Sequence, residues 1–310
     1  MRVLITGGAG YLGSTIAEVL LSNGHEVTIL DNFLYGVNSV FPLIKYEKCH
    51  IIKGDVRDER ILQEAIKKMD VILPLAAIVG APACDMKEIE SKQVNELAIA
   101  SILKYRSMEQ YVAYPCTNSG YGSGVSAQVY NEESPLNPIS TYGVQKVEAE
   151  KMILNSKNTL SIRLATVFGV GNRVRLDLLV NDLTYRAWDT GVLNIFEGHF
   201  SRNYVHVRDV ANAFLAFVEN SKFYNSGAYN FGNSLANMTK LELAELIKIR
   251  IPNLTINQIE NKADPDKRNY IVDNSKLEAK GVSAVIPVDV GIGEILKIAP
   301  LLRRSPYNNL

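Results

Sequence analysis

Tyr142 and Lys146 stand four residues apart in the stretch Ser140–Asn155, whose pattern predicts a helix. Both side chains therefore leave one face. A tyrosine beside an ammonium is a candidate general base. A free phenol has a pKa of about 10, and a neighbouring cation favours the phenolate. Bringing that value to about 7 would remove roughly 4 kcal/mol of deprotonation cost at neutral pH. In a chain with 15 tyrosines such a pair also arises by chance, so the surroundings decide. Glu132-Glu133-Ser134-Pro135-Leu136-Asn137-Pro138 precedes it, an acidic, proline-punctuated loop that ends one element and launches the next.

A second set is Gly7, Gly10 and Gly13, with Tyr11 and Leu12 in the same turn. The apolar run Val3-Leu4-Ile5 precedes it and the helical run Ser14–Leu21 follows. Glycines at spacing three let the backbone turn tightly, approach a pyrophosphate and pack helix on strand. The helix start then offers free N–H groups and a positive dipole end to phosphates. Asp31 closes the run His25–Asp31, eighteen residues past Gly13. A carboxylate there accepts hydrogen bonds from ribose hydroxyls and repels a 2′-phosphate, which favours NAD over NADP.

These residues need elements to hold them. Strands are predicted at Cys49–Lys53, Val71–Leu73, Tyr111–Tyr114 and Leu160–Leu164, and long helices at Glu88–Met108 and Ser140–Asn155. Alternating strands and helices predict an α/β fold, a doubly wound parallel sheet with right-handed crossovers. Beyond about residue 165 the alternation loosens into short mixed elements. The expected division is a dinucleotide-binding Rossmann domain over 1–165 and a smaller mixed, mainly substrate-binding domain over 166–310, with a return to the sheet near 204–220. Ile89, Val94, Leu97, Ile99, Ile102 and Leu103 are too many apolar positions for one sheet-facing stripe, so a homodimer is expected.

Composition excludes other classes. The chain is 47% hydrophobic and 21% charged, with 33 basic and 33 acidic residues. Neither a nucleic-acid footprint nor a polybasic membrane patch is present. Cys49, Cys84 and Cys116 form no CxxC pair, and the four histidines have no metal spacing, so no disulfide framework and no metal are expected. No apolar stretch reaches 18 residues and the first strand starts at residue 2, which makes a cytoplasmic location the expectation.

Taken in order, the motifs resemble the extended short-chain dehydrogenase/reductases of the nucleotide-sugar epimerase/dehydratase type. The match runs through the glycine turn, Asp31-Asn32, Gly54-Asp55-Val56-Arg57-Asp58, Leu75-Ala76-Ala77, Asn95, Tyr121-Gly122, Tyr142-x-x-x-Lys146 and His206-Val207-Arg208-Asp209-Val210-Ala211. The resemblance implies that Thr117, four residues before Tyr121, completes a catalytic set with Tyr142 and Lys146. It implies cofactor contacts from Asn32, Asp55, Val56, Leu75, Ala76, Ala77, Asn95 and Phe168, with Lys146 doubling as a ribose ligand. For the substrate it implies Asn181 and Arg202 on a nucleotide diphosphate, with Arg268 a second candidate arginine; bidentate guanidinium pairing suits that group.

The departures from the family pattern narrow the reaction. Pro74 replaces a histidine, and Arg208 an acid. Asn118 and Ser119 stand where 4,6-dehydratases carry Asp-Glu, so dehydration is disfavoured. Cys116 is on the wrong side of the pattern for a Cys/His epimerase pair and is expected in the core. What remains is NAD-dependent redox at C4 of a nucleotide-activated sugar, by a 4-dehydrogenase or a 4-epimerase. Pro115–Gly122 with Arg163–Gly169 resembles a branch associated with GDP-sugar and GDP-heptose modification, in the service of polysaccharide biosynthesis. The alternatives are a 4-reductase, or a non-catalytic NAD(H)-sensing protein on the same fold. A pure sensor has no need of the Thr117, Tyr142 and Lys146 side chains.

Overall fold

Strands buried on both faces, as a helix-covered parallel sheet requires, account for the apolar runs: Val3, Leu4, Ile5, Val71, Ile72, Leu73, Leu160 and Ile162 are all fully buried. The computed structural model describes residues 1–122, 128–259 and 269–302. The amino-terminal half runs β1 (Arg2–Thr6), α1 (Tyr11–Ser22), β2 (Glu26–Asp31), β3 (Cys49–Lys53), α2 (Glu59–Ile66), β4 (Val71–Pro74), α3 (Ala81–Met86), α4 (Glu88–Lys92), α5 (Ala98–Tyr105), β5 (Tyr111–Thr117), β6 (Val129–Tyr130), α6 (Thr141–Leu154) and β7 (Thr159–Leu164). There follow β8 (Thr166–Phe168), α7 (Leu179–Thr190), β9 (Val192–Phe196), β10 (Ser201–His206), α8 (Val207–Glu219), β11 (Ala228–Phe231), β12 (Asn237–Thr239), α9 (Lys240–Arg250), β13 (Thr255–Ile259), β14 (Ile271–Val272), α10 (Ser275–Glu278) and α11 (Val288–Ile298).

Seven strands form one parallel sheet in the order β11-β7-β5-β4-β1-β2-β3. The chain winds outward from β1 through β2 to β3, then restarts at β4 and winds the other way. The switch between β1 and β4 opens a crevice at their carboxyl ends, where doubly wound sheets bind ligands. One apolar core joins the sheet to α1 and α8; a second joins its other face to α2, α5 and α6. The remainder builds a smaller mixed unit, with the sheets β12-β10-β8 and β13-β9 around a third core. The return to the large sheet comes twice, as α8 packing in the α1 core and as β11 pairing with β7.

Local signals set the ends of the elements. Asp58 caps α2 by accepting the Arg60 and Ile61 N–H groups at 2.9 and 3.3 Å. Ser140 caps α6 by accepting the Gly143 N–H at 3.1 Å, which fixes where the helix of Tyr142 and Lys146 begins. The helix expected over Glu88–Met108 differs in its middle: α4 passes through a π turn, Gln93–Leu97, into α5, which ends at Tyr105. Single π turns inside α-helices mark functional positions, and this one contains Asn95. Of the six apolar residues counted there, Ile99 and Ile102 enter the core, Val94 and Leu103 are half-buried, and Ile89 and Leu97 are exposed.

Candidate active site

A cleft of about 790 Å³ lies along the carboxyl ends of β1, β2, β4, β5 and β7. Its floor at one end is the glycine turn. A Cβ on Gly13 would lie 2.3 Å from the Gly7 carbonyl oxygen, and one on Gly7 would lie 2.6 Å from the Ala76 nitrogen. Only glycine lets α1, the turn and the β4 loop close on one another. A Cβ on Gly10 meets nothing but the Gly7 oxygen at 3.1 Å and otherwise fills the cleft. The cradle thus has room for a pyrophosphate against the start of α1, a 12-residue helix.

Asp31 stands at the end of β2 on the wall. Its carboxylate accepts the Ala9 N–H at 2.9 Å and the Phe33 N–H at 2.7 Å, which orients it in the cleft. Burial pushes its pKa above the ordinary value while those two N–H groups oppose the shift. Beside it Asn32, Asp55 and Val56 line a shallow end. Asp55 is gripped by Arg57 through Nε and Nη2 at 2.8 Å each, which pulls its pKa down to about 2. Leu75, Ala76 and Ala77 line the wall above the β1–β4 switch. The N–H groups at the start of α1, the Asp31 carboxylate and the glycine cradle fit an extended dinucleotide.

At the other end Thr117, Tyr142 and Lys146 share the cleft. Thr117 ends β5; its hydroxyl oxygen accepts the Ser119 N–H at 3.1 Å and its O–H donates to Ser119 Oγ at 3.0 Å. Tyr142, in the first turn of α6, is half-buried against Ile78, Ala83 and Cys84. Lys146 lies one turn further and is buried. Burial pushes its pKa down from 10.5 to about 8, against the pull of Glu150. Two networks fix α6. Gln145, between the pair, accepts from Asn95 Nδ2 at 2.9 Å and donates to Ser91 Oγ at 2.9 Å. Behind the helix, Glu150 takes a forked ion pair from Arg163, whose Nη1 also reaches Tyr121.

Asn95 and Asn181, expected among the ligand contacts, lie behind the wall instead, as does the side chain of Phe168, at which the resemblance implies a contact through the backbone. Asn95 accepts the Ile78 N–H and donates to its carbonyl, both at 2.9 Å, so the π turn uses it to hold the loop after Ala77. Phe168 is fully buried edge-on to His206. Asn181 spends its amide on the Gly169 N–H and carbonyl and the Arg175 carbonyl. Spacing placed these residues near a ligand along the chain, whereas packing turned their side chains into the layer that shapes the wall.

Arg202, on β10, is 2% exposed and lines the cleft. Arg268 lies outside the described residues. Cys116 is buried, with Sγ 3.6 Å from the Lys146 carbonyl oxygen, and burial keeps its thiol protonated. Arg173 and Arg175 also line the cleft, and sequence reasoning missed them. Arg173 stacks 4.1 Å over the Tyr35 ring, and Arg175 makes a forked pair with Asp177 at 3.2 and 2.6 Å. Their signal was the spacing Arg173-x-Arg175-x-Asp177 after Phe168-Gly169, in a loop without periodicity. Asp85, also missed, lines the cleft and accepts the Thr141 hydroxyl at 2.6 Å. Among the described residues no cluster of histidine, cysteine and acids could hold a metal, and no helix is long and apolar enough to cross a membrane.

Comparison with known proteins agrees with this geometry. A model of the NAD dependent epimerase/dehydratase family matches residues 3–232. UDP-glucuronic acid decarboxylase 1 of Danio rerio is 27% identical over 311 residues, covering 96% of this chain and 72% of that protein. A putative UDP-glucose 4-epimerase of Methanocaldococcus jannaschii is 24% identical over 320 residues, covering 95% and 97%. The crystal structure of UDP-glucuronic acid 4-epimerase from Bacillus cereus, in complex with UDP-glucuronic acid and NAD, superposes with a TM-score of 0.85 at 22% identity, covering 98% of this chain and all of that one.

Proposed function

Because the chain belongs to the NAD dependent epimerase/dehydratase family, we propose that it is an NAD-dependent 4-epimerase of a nucleotide-activated sugar. The observation that carries this reading is the convergence of Thr117, Tyr142 and Lys146 at one end of the cleft that Gly7, Gly10, Gly13 and Asp31 line at the other. When bound, NAD takes the hydride from C4 of the sugar and returns it. Tyr142, as phenolate, removes the C4 hydroxyl proton as the bond to hydrogen is lost, and gives it back when the ketone is reduced. Thr117 steers the reacting oxygen with its hydroxyl. Lys146 stabilises the phenolate by its charge and holds the cofactor ribose. Arg202 grips the diphosphate, and the sugar turns its other face before reduction.

The Asp-Glu pair of the 4,6-dehydratases is replaced here by Asn118 and Ser119. Asn118 has no acidic proton, is 1% exposed and lies off the cleft wall; Ser119 is no carboxylate. In this reading residues 1–165, joined by α8 and β11, hold the dinucleotide, and residues 166–310 mainly hold the nucleotide sugar. The protein works as a homodimer through the face of Ile89 and Leu97. GDP-linked hexoses and heptoses are the first substrates to try, beside UDP-linked ones.

The test is incubation of the purified protein with these sugars in deuterated water, followed by proton NMR. Inversion at C4 without deuterium at C5 is expected. A stoichiometric 4-ketosugar with NADH would make the protein a 4-dehydrogenase. Deuterium at C5 with loss of water would overturn the reading.

A further inference from the structure

Lys146 presents an unusual problem of charge. It is 4% exposed, and a buried ammonium is costly unless it is paired. It lines the cleft, where the reading above gives its ammonium the cofactor ribose. On the protein side it meets the face of Tyr114 on β5, with Nζ 4.0 Å from the ring centroid. An aromatic face attracts a cation within about 6 Å, most strongly where water is excluded. We propose that Tyr114 is a positioning residue for catalysis, whose ring face keeps Lys146 charged one helical turn from Tyr142.

The other groups around Lys146 leave that task open. Glu150, on its own helix, is committed to Arg163 of β7. Cys116 on β5 and Cys84 on α3 are held neutral by burial. Asp85 on α3 is engaged by Thr141. Tyr121, after β5, bonds Arg163 and Asn230. Tyr114 itself is fully buried and off the cleft wall, so it touches no ligand. Burial pushes its phenol well above the ordinary range, which leaves a neutral ring facing the ammonium. Its hydroxyl reaches the Lys146 carbonyl oxygen only at 3.4 Å, so the face carries the interaction.

Without that face Lys146 loses its proton at lower pH. A neutral lysine no longer favours the Tyr142 phenolate, so the alkaline limb of the activity bell moves down and the bell narrows from that side.

The inference rests on Tyr142 being the base, and the experiment separates the two. In the holoenzyme, Tyr114 is replaced by Leu, by Phe, and by phenylalanines of increasing fluorination, which weaken the ring face while keeping its shape. Rate is measured against pH. Tyr142 phenolate is followed independently by ultraviolet titration, as the difference between each protein and its Tyr142→Phe counterpart. Tyr114→Phe should keep the wild-type profile. Each added fluorine should narrow the bell, and Tyr114→Leu should move its alkaline limb down by about one pH unit. If Tyr114→Leu does not fold, the fluorinated series carries the test. If Tyr142→Phe stays active, the reading of the base fails and this proposal with it. If Tyr142→Phe is inactive while the fluorinated series leaves both titrations unmoved, Tyr114 only packs, and the proposal alone is overturned.

Discussion

Lys146→Met should make the protein more stable and inactive at once. Burial pushes the Lys146 pKa from 10.5 down to about 8, so the folded protein holds this proton less tightly than the unfolded chain does. At about 1.4 kcal/mol for each tenfold change in proton affinity, the gap opposes folding by about 3 kcal/mol at neutral pH. The sign follows from counting protons. Between pH 8 and 10.5 the unfolded chain carries the proton and the folded one does not, so wild-type stability rises through that window. Below pH 8 both carry it and the penalty is present in full. Methionine has similar reach and no charge, and it leaves the Glu150–Arg163 pair intact. Losing the attraction to Tyr114 offsets about 1 kcal/mol of the gain, which leaves about 2 kcal/mol. Urea unfolding of both proteins, stripped of dinucleotide so that ligand linkage does not enter, should show that margin near pH 7. The margin should shrink as the pH rises from 8 to 10.5. Equal or lower stability of the variant near pH 7, or a margin that does not shrink, would refute the reasoning.

Four further outcomes are expected. NAD should bind at least about tenfold tighter than NADP, since the proposed binding mode sets the ribose against Asp31, and Asp31→Ala should close most of that gap; comparable affinities of the wild type in calorimetry would exclude the role. Arg202→Ala should raise KM for the nucleotide sugar by about tenfold or more and lower kcat less, because the diphosphate is held alike in ground and transition states; an unchanged KM would remove Arg202 from the site. Glu150→Gln strands the buried Arg163 guanidinium and should lower stability by about 3–5 kcal/mol, so a loss under about 1 kcal/mol in denaturant melts would show that the pair is dispensable. Ile89 is 79% exposed, and Ile89→Asp should shift the mass in light scattering from dimer toward monomer; a wild-type monomer at micromolar concentration would rule the interface out.

How much was legible in the chain depends on what each signal is made of. The glycine turn was legible because its constraint is covalent: a Cβ on Gly13 has nowhere to go beside the Gly7 oxygen. The Tyr142–Lys146 pair was legible because helical geometry alone puts it on one face. The π turn at Gln93–Leu97 was not, since one widened turn barely alters an apolar period that strongly marks the helix on either side. Nor were Arg173 and Arg175, which reach the cleft from an aperiodic loop whose course is set by Asn181.

Two of the residues found behind the wall share a physical character. Asn95 and Asn181 are buried amides, able to donate and accept at once, and each ties a loop of the wall to a helix. A sequence pattern that marks the site therefore marks two layers, the wall and the amides that shape it. Only packing tells one from the other. The same layering explains where the protein tolerates strain. α6 is pinned through Gln145 and Asn95 on one side and through Glu150 and Arg163 on the other. A helix held that firmly can carry a buried ammonium backed by an aromatic face, and Lys146 is that group. The charge that in the proposed mechanism favours the Tyr142 phenolate is thus the one least welcome to the fold, and the two networks around it keep it in place.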